Sequence, residues 1–216
     1  MANGWHCQPF CVRKYILFDF DGTLVDSMPT FVSAMLGLLD KAHIPYSKDI
    51  VKIITPLGYI GTAKYYLELG MPLTFEEITK RMGDYMYEQY ANNILAKDTV
   101  RETLLALRAR GDKLNVLTAS PHLTLDPCLK RLGLYDLFDN VWSCNDFDMT
   151  KADPQIYVEA AKRLGEKVED VTFLDDNLGA CRTAKVAGMK VFGVYDDSSA
   201  EYTKEMSTEF DGYIVK

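Results

Sequence analysis

The sequence has few residues of the kind that bind soft metals, and it has no excess of positive charge. Its 216 residues include three histidines and five cysteines, and its formal net charge is −7. The cysteines are odd in number and have no regular spacing, which favours a reducing compartment over a disulfide framework. Net negative charge without a basic stripe argues against nucleic acid or an anionic membrane as the partner. We therefore expect the partner to be a small molecule.

Long apolar runs are also missing. The sequence has neither a continuous apolar stretch of membrane-spanning length nor a signal-peptide core, so we expect a cytoplasmic protein without membrane association. No internal repeat or low-complexity segment occurs, and no pattern indicates an oligomeric state. We interpret residues 1–13 as an N-terminal tail. The alternative is that His6, Cys7 and Cys11 in this segment are metal ligands.

The most informative segment is the first apolar run and the turn that follows it. Residues 15–20 are typical of a strand that a parallel sheet buries on both faces, and Gly22 indicates a sharp turn. Asp19 and Asp21 lie at the end of this predicted strand. Because ligands bind outside the carboxyl ends of strands in open α/β sheets, two acids here indicate metal or phosphoryl chemistry. The alternative is an ordinary turn with exposed aspartates.

Three later segments add polar groups in a fixed order. These groups are Thr118 in a predicted strand over 116–120, Lys151 before a helix that opens near Pro154, and Asp175 with Asp176 at the end of a predicted strand over 171–177. Each has a simpler explanation by itself, as a strand-end hydroxyl, a surface lysine or the N-cap of the next helix. Together they indicate a single site at one edge of a sheet.

With these motifs the sequence resembles the phosphohydrolases of the haloacid dehalogenase superfamily, close to the phosphoglycolate phosphatase and β-phosphoglucomutase branch. The resemblance covers residues 14–195 and implies a doubly wound, mostly parallel, Rossmann-like α/β sheet with an inserted α-helical cap. It implies that Asp19 is the nucleophile and Asp21 the general acid/base. By the same resemblance Thr118 and Lys151 hold the phosphoryl group, and Asp175 and Asp176 complete a magnesium site. A small phosphorylated metabolite is the implied substrate.

Residue chemistry supports these roles. A carboxylate such as that of Asp19 can form a covalent phosphoryl intermediate, and a second acid can pass a proton to the leaving group. The four aspartates and Lys151 have a formal charge of minus three, which a divalent cation and a proton on Asp21 would neutralise. Oxygen ligands alone favour Mg²⁺. The predicted metal ligands are Asp19, Asp21, Asp175 and Asp176.

We therefore predict hydrolysis of a phosphate monoester through an aspartyl-phosphate. A phosphomutase of the β-phosphoglucomutase type is the alternative, since it would use the same core residues. A binding protein without activity is disfavoured, because Asp19, Asp21 and Lys151 are all present.

The chain between the first strand and Thr99 has no strand pattern. Four or five predicted helices cover 30–42, 47–54, 61–69 and 74–94, with possible breaks in the last range, which begins with a capping box from Thr74 to Glu77. We predict a core of residues 14–27 and 97–216 and a helical cap of residues 28–96. Closure of such a cap would exclude water from the site.

Substrate contacts in the predicted cap are the least defined. Lys64, with Tyr59, lies where relatives carry a specificity loop, and a solvated helix face is the alternative for Lys64. The tyrosines of this region would either stack on a ring-bearing substrate or pack within the cap with solvated hydroxyls.

Three positions depart from the family pattern. Ala119 replaces a common asparagine, although its backbone N–H can still contact phosphate, and Ala152 replaces a frequent proline. Gly179 and Ala180 stand where a further acid is often found in the family. The metal ligands predicted in this part of the chain are therefore Asp175 and Asp176 alone.

Overall fold

The computed structural model describes residues 14–54 and 57–215. The predicted tail, residues 1–13, lies outside the described residues, as does the side chain of Tyr59. The strands are β1 (Tyr15–Phe18), β2 (Lys113–Thr118), β3 (Asn140–Ser143), β4 (Val171–Asp175), β5 (Lys190–Val194) and β6 (Gly212–Ile214). The helices are α1 (Met28–Lys41), α2 (Ile50–Ile54), α3 (Gly58–Glu68), α4 (Phe75–Asn92), α5 (Val100–Ala109), α6 (His122–Arg131), α7 (Gln155–Leu164), α8 (Leu178–Ala187) and α9 (Thr203–Glu209). No helix among the described residues has the length and apolar character needed to cross a membrane.

The strands form one parallel sheet in the order β3-β2-β1-β4-β5-β6. Side chains of β1 alternate between its two faces: Ile16 and Phe18 enter one apolar cluster with α5 and α6, and Leu17 enters another with α7 and α8. Parallel strands require crossover connections, and these helices cover the sheet on both sides. The predicted doubly wound α/β fold is confirmed.

The central position of β1 brings the site together. It pairs with both β2 and β4, so that Phe18 lies opposite Val116 on one side and Leu174 on the other. The backbone N–H of Asp19 continues this pairing by donating to Leu174 O at 2.8 Å. Residues that follow β1, β2 and β4 therefore meet at one edge of the sheet.

Helices α1 to α4 form a separate layer with an apolar cluster of its own, which includes Met35, Tyr66 and Met82. The predicted capping box is confirmed: Thr74 N donates to Glu77 Oε2 at 2.8 Å, and Glu77 N donates to Thr74 Oγ1 at 3.2 Å. The end of α4 and the segment just after it belong to a different cluster, since Met86, Tyr90 and Ile94 pack with α6 in the core on one face of the sheet. One helix thus joins both apolar clusters, and the predicted boundary between core and cap remains a prediction.

Several predicted boundaries were wrong by a few residues. Strand β1 ends at Phe18, β2 at Thr118 and β4 at Asp175, so the functional residues lie at or just beyond the strand ends. The four predicted helices begin at residues 28, 50, 58 and 75, not at 30, 47, 61 and 74. Helix α1 begins early because proline is tolerated in the first turn, where its missing N–H has no helical partner.

The sequence patterns did not reveal β3 or β6. These are the two edge strands of the sheet, with four and three residues. Neither has the continuous apolar run of a strand that is buried on both faces.

Candidate active site

Three buried aspartates meet at the carboxyl edge of the sheet. Asp19 follows β1, Asp175 ends β4 and Asp176 comes next, and one carboxylate oxygen of each lies within 4.8 Å of the others. All three side chains are buried. A compact set of carboxylate oxygens is the kind of donor set that hard divalent cations prefer. These residues could therefore hold one such ion.

Lys151 lies between two of these acids. Its Nζ donates to Asp19 Oδ1 and, at 2.8 Å, to Asp175 Oδ2, and its side chain is only 13% exposed. The Tyr157 hydroxyl donates to the backbone carbonyl of Lys151 at 3.1 Å, which fixes the loop that carries the lysine. The arrangement supplies one positive charge beside the nucleophile candidate.

Burial controls the ionisation of this cluster. The pKa of Asp19 is raised to about 7, because burial, with the charges of Asp175 and Asp21, outweighs the opposing effect of Lys151. Burial, followed by the charges of Asp175 and Asp19, also holds the pKa of Asp176 well above its ordinary value. For Lys151 burial works against the charged form, but Asp175 and Asp19 outweigh it, and its pKa is raised. A bound cation would favour the ionised form of these acids.

The turn after β1 is locked to the turn after β4. Thr23 Oγ1 donates to Asp176 Oδ1 at 2.9 Å, and Asp176 N donates to Thr23 Oγ1 at 3.1 Å. Gly22 has a φ of 73°, and a Cβ at this position would overlap the Asp176 carboxylate. Only glycine combines this left-handed backbone with the close approach.

Lys97 fixes the same turn from the other side. Its Nζ donates to Gly22 O at 2.5 Å and to Tyr195 O at 2.8 Å, and it pairs with Asp196 at 2.8 Å. The backbone beside it connects the segment before α1 with the segment after α4, since Lys97 N donates to Leu24 O at 3.0 Å. Both connections to the helical layer are therefore held next to the site.

Asp21 is separate from the cluster of three acids. Its Oδ1 accepts from Ser27 Oγ at 2.7 Å and from the Tyr90 hydroxyl at 2.5 Å, and its Oδ2 accepts from Ser120 Oγ at 2.5 Å. The role of Asp21 as a metal ligand remains a prediction. These three hydroxyl partners were not identified from the sequence. Ser27 is six residues from Asp21, but Tyr90 and Ser120 are 69 and 99 residues away, and only the fold brings them to it.

The predicted phosphoryl-binding residues lie at the end of β2. Thr118 is buried, pairs with Ser143 of β3, and its Oγ1 accepts from Ser120 N at 3.0 Å. Ala119 follows in an exposed bend. Lys64 lies on the exposed side of α3, and its side chain makes no hydrogen bond or ion pair with another described residue. Its contact with a substrate remains a prediction.

Two of the tyrosines differ from the expected packing with solvated hydroxyls. Tyr66 and Tyr90 are buried, and their hydroxyls donate to protein groups, Met35 O and the Asp21 carboxylate. Tyr85 and Tyr87 are exposed. The sequence did not distinguish these pairs, since all four residues lie in amphipathic helices.

Comparison with known proteins places the chain in a family. The model of the haloacid dehalogenase-like hydrolases matches residues 13–188, so the chain belongs to that family. Phosphoglycolate phosphatase of Nitrosospira multiformis is 30% identical over 189 residues, which are 84% of this chain and 82% of the relative. Pyrophosphatase PpaX of Bacillus velezensis is 29% identical over 180 residues, 83% and 82% of the two chains.

The fold has matching solved structures. CbbY from Rhodobacter sphaeroides, in complex with phosphate, superposes with a TM-score of 0.75 at 19% identity and covers 94% of this chain and 93% of that one. At this identity the likeness concerns the fold. The family assignment confirms the predicted resemblance and the prediction of a hydrolytic enzyme.

Proposed function

We propose that the protein is a Mg²⁺-dependent phosphatase that hydrolyses a small phosphate monoester through an aspartyl-phosphate on Asp19. The observation that carries this proposal is the buried cluster of Asp19, Asp175 and Asp176 with Lys151 between two of its members. The phosphatase names of relatives that match most of the chain support the reaction class.

In the first step a carboxylate oxygen of Asp19 attacks phosphorus while the bond from phosphorus to the leaving oxygen breaks. A proton from Asp21 passes to that oxygen. In the second step water attacks phosphorus, its proton goes to Asp21, and the bond between phosphorus and Asp19 breaks to release inorganic phosphate. Each residue returns to its starting protonation state.

The remaining residues hold the phosphoryl group and the metal. The Thr118 hydroxyl, the Ala119 backbone N–H and the Lys151 ammonium would donate to phosphoryl oxygens. Asp19, Asp175 and Asp176 would hold Mg²⁺, which would neutralise phosphoryl charge and orient the nucleophile.

Helices α1 to α4 would form a cap over the substrate, in keeping with their separate apolar cluster. Cys128, Cys144 and Cys181 are free thiols, which fits action in the reducing cytoplasm.

The test is a panel of phosphorylated metabolites assayed with Mg²⁺ for released phosphate, with the wild-type chain and Asp19→Asn. We expect turnover of at least one small monoester by the wild type and none by Asp19→Asn. Asp136→Asn is the matched control, because Asp136 is exposed and lies in the short helix after α6. Phosphate release by Asp19→Asn at the wild-type rate would reject the nucleophile.

The same assay separates a phosphatase from a phosphomutase. A mutase would retain a sugar bisphosphate during turnover and convert one sugar monophosphate into its isomer. A phosphatase would release the phosphate of that sugar. Analysis of the products by phosphorus NMR distinguishes these results.

A further inference from the structure

The carboxylate of Asp21 is held by hydroxyls from three separate parts of the chain. Ser27 comes just before α1, Tyr90 lies in the last turn of α4 and Ser120 lies in the bend after β2. Their oxygens lie 2.5 to 2.7 Å from the carboxylate oxygens. Bonds on both oxygens limit rotation of the carboxylate about its own axis. The position of Asp21 therefore depends on Ser27, six residues away, and on Tyr90 and Ser120, which are 69 and 99 residues away in the sequence.

Tyr90 is the most firmly fixed of these donors. Its side chain is buried, and its ring stacks on Phe20 with centroids 5.9 Å apart and an interplanar angle of 27°. The guanidinium of Arg131 on α6 donates to the Tyr90 carbonyl at 3.2 Å and also to the carbonyl of Ile94. Packing therefore fixes the ring, and the core helix fixes its backbone. The direction of the hydroxyl is set by both.

These contacts determine whether Tyr90 would move with the core or with the helical layer. Although α4 begins in the helical layer, Tyr90 packs in the core cluster with Phe20 and Leu129. A hydroxyl that is anchored to the core can keep its distance from Asp21 when the helical layer moves. The same argument does not extend to exposed tyrosines of α4 such as Tyr87.

We propose that Tyr90 is a positioning residue for proton transfer, whose hydroxyl orients the carboxyl group of Asp21 toward the leaving oxygen. The inference rests on the proposed function. When Asp21 gives its proton to the leaving oxygen, the resulting carboxylate accepts the Tyr90 hydroxyl bond. When Asp21 takes a proton from the attacking water, it releases that bond or becomes the donor in it. Tyr90 itself neither gains nor loses a proton over the cycle.

The test is Tyr90→Phe, which removes the hydroxyl and keeps the ring on Phe20 and the backbone bond to Arg131. We expect kcat for an alkyl phosphate to fall by about 10- to 100-fold, less than the 10²- to 10⁴-fold range for losing the acid itself. KM should stay within about twofold, since the ground state loses no substrate contact. Transfer from para-nitrophenyl phosphate to Asp19 should be almost unchanged, because its leaving group needs little protonation.

A second signature concerns the order of the steps. With para-nitrophenyl phosphate the variant should show a burst of nitrophenolate and then slow turnover, because hydrolysis of the phosphoenzyme still needs Asp21 as a base. Rapid quench with acid would trap the accumulated phosphoenzyme. A purely structural role would slow both steps and both substrates alike.

Two comparisons make the result specific. Tyr87→Phe, on the same helix but exposed, should leave every constant unchanged. Tyr90→Phe in an Asp21→Asn chain should add no further loss, since no proton transfer by Asp21 then remains to be oriented. Thermal unfolding of each variant measures folding separately.

The inference is overturned if Tyr90→Phe matches the wild type, if it slows phosphoryl transfer to Asp19 equally from alkyl and aryl esters, or if its loss persists beside Asp21→Asn. If instead the wild-type chain releases phosphate from no ester, the proposed function fails and this inference fails with it. The two failures are distinguishable, because only the second is seen without any substitution.

Discussion

Replacing Lys151 by methionine would test how much the buried charges of the site depend on one another. The lysine is the only cation in hydrogen-bond contact with both Asp19 and Asp175 among the described residues. Methionine keeps much of the volume and the contact with Phe173, whose ring centre lies 5.5 Å from Nζ. The change therefore removes mainly the charge and leaves two buried carboxylates without it.

The expected loss follows from that unpaired charge. Breaking a buried ion pair by removing one partner costs about 3–5 kcal/mol of unfolding free energy. In a chain of this length, 1 kcal/mol corresponds to roughly 2–4 °C, so the unfolding midpoint should fall by about 6–20 °C without metal. Mg²⁺ should restore part of the loss, because it supplies positive charge at the same carboxylates.

Urea unfolding followed by circular dichroism measures this loss, with and without Mg²⁺. Lys162→Met is the matched control, since Lys162 has a side chain 77% exposed and pairs with Glu159 only at the surface, where a pair contributes about 0–1 kcal/mol. Lys151→Met with Asp175→Asn should recover at least about 1 kcal/mol, because one of the buried carboxylates then has no charge. The reasoning would be refuted if the unfolding free energy of Lys151→Met lay within about 1 kcal/mol of the wild-type value, or if the double variant were less stable than Lys151→Met.

Three further predictions concern other residues. Mg²⁺ at a hundred times its Kd should stabilise the wild type by about 2.7 kcal/mol, and Asp176→Asn should remove most of this stabilisation. Thermal unfolding with and without Mg²⁺ measures it, and an equal stabilisation of the wild type and the variant would exclude Asp176 as a ligand. His122 lies between Asp126 and Asp146, with 2.8 Å from a ring nitrogen to a carboxylate oxygen of each, and these hydrogen bonds raise its pKa above 6.5. The protonated imidazole therefore stabilises the fold fully below pH 6.5, and this contribution is lost as pH rises through the raised pKa. The free energy of unfolding, measured with denaturant, should therefore fall from pH 6 to pH 9, and this fall should be smaller in His122→Gln by about 0.2–1 kcal/mol. An equal fall in the wild type and the variant would contradict this. Lys64→Ala should lower kcat/KM for the best metabolite by about 1–3 kcal/mol and leave para-nitrophenyl phosphate almost unchanged, whereas no loss on either would leave Lys64 a solvated surface residue.

The central part of the fold was predictable because its signals are local. Strands β1 and β2 are buried on both faces, and β4 is buried on one face and half-buried on the other. Each is a short, mostly apolar run that can be recognised without knowledge of its neighbours. The edge strands β3 and β6 lack such a run, since one side of each has no neighbouring strand in the part of the chain that the structure describes. The capping box at Thr74 was predictable for the same local reason, as its bonds span three residues.

The sequence by itself determined which side chains were candidates for the chemistry. Asp19, Asp21, Lys151, Asp175 and Asp176 were identified from their order and from their positions at strand and helix ends. Because ligands bind at the carboxyl edge of a parallel sheet, the same positions also predict that these side chains lie in one place.

Only the tertiary structure decided what holds those side chains. Thr23 meets Asp176 across 153 positions of the chain, and Tyr90 meets Asp21 across 69. No periodicity or local motif encodes such pairs, because each depends on how two distant elements pack and on which way a turn faces. The sequence thus determined the acids of the site, while packing between remote elements determined their orientation and burial, and through burial their pKa values.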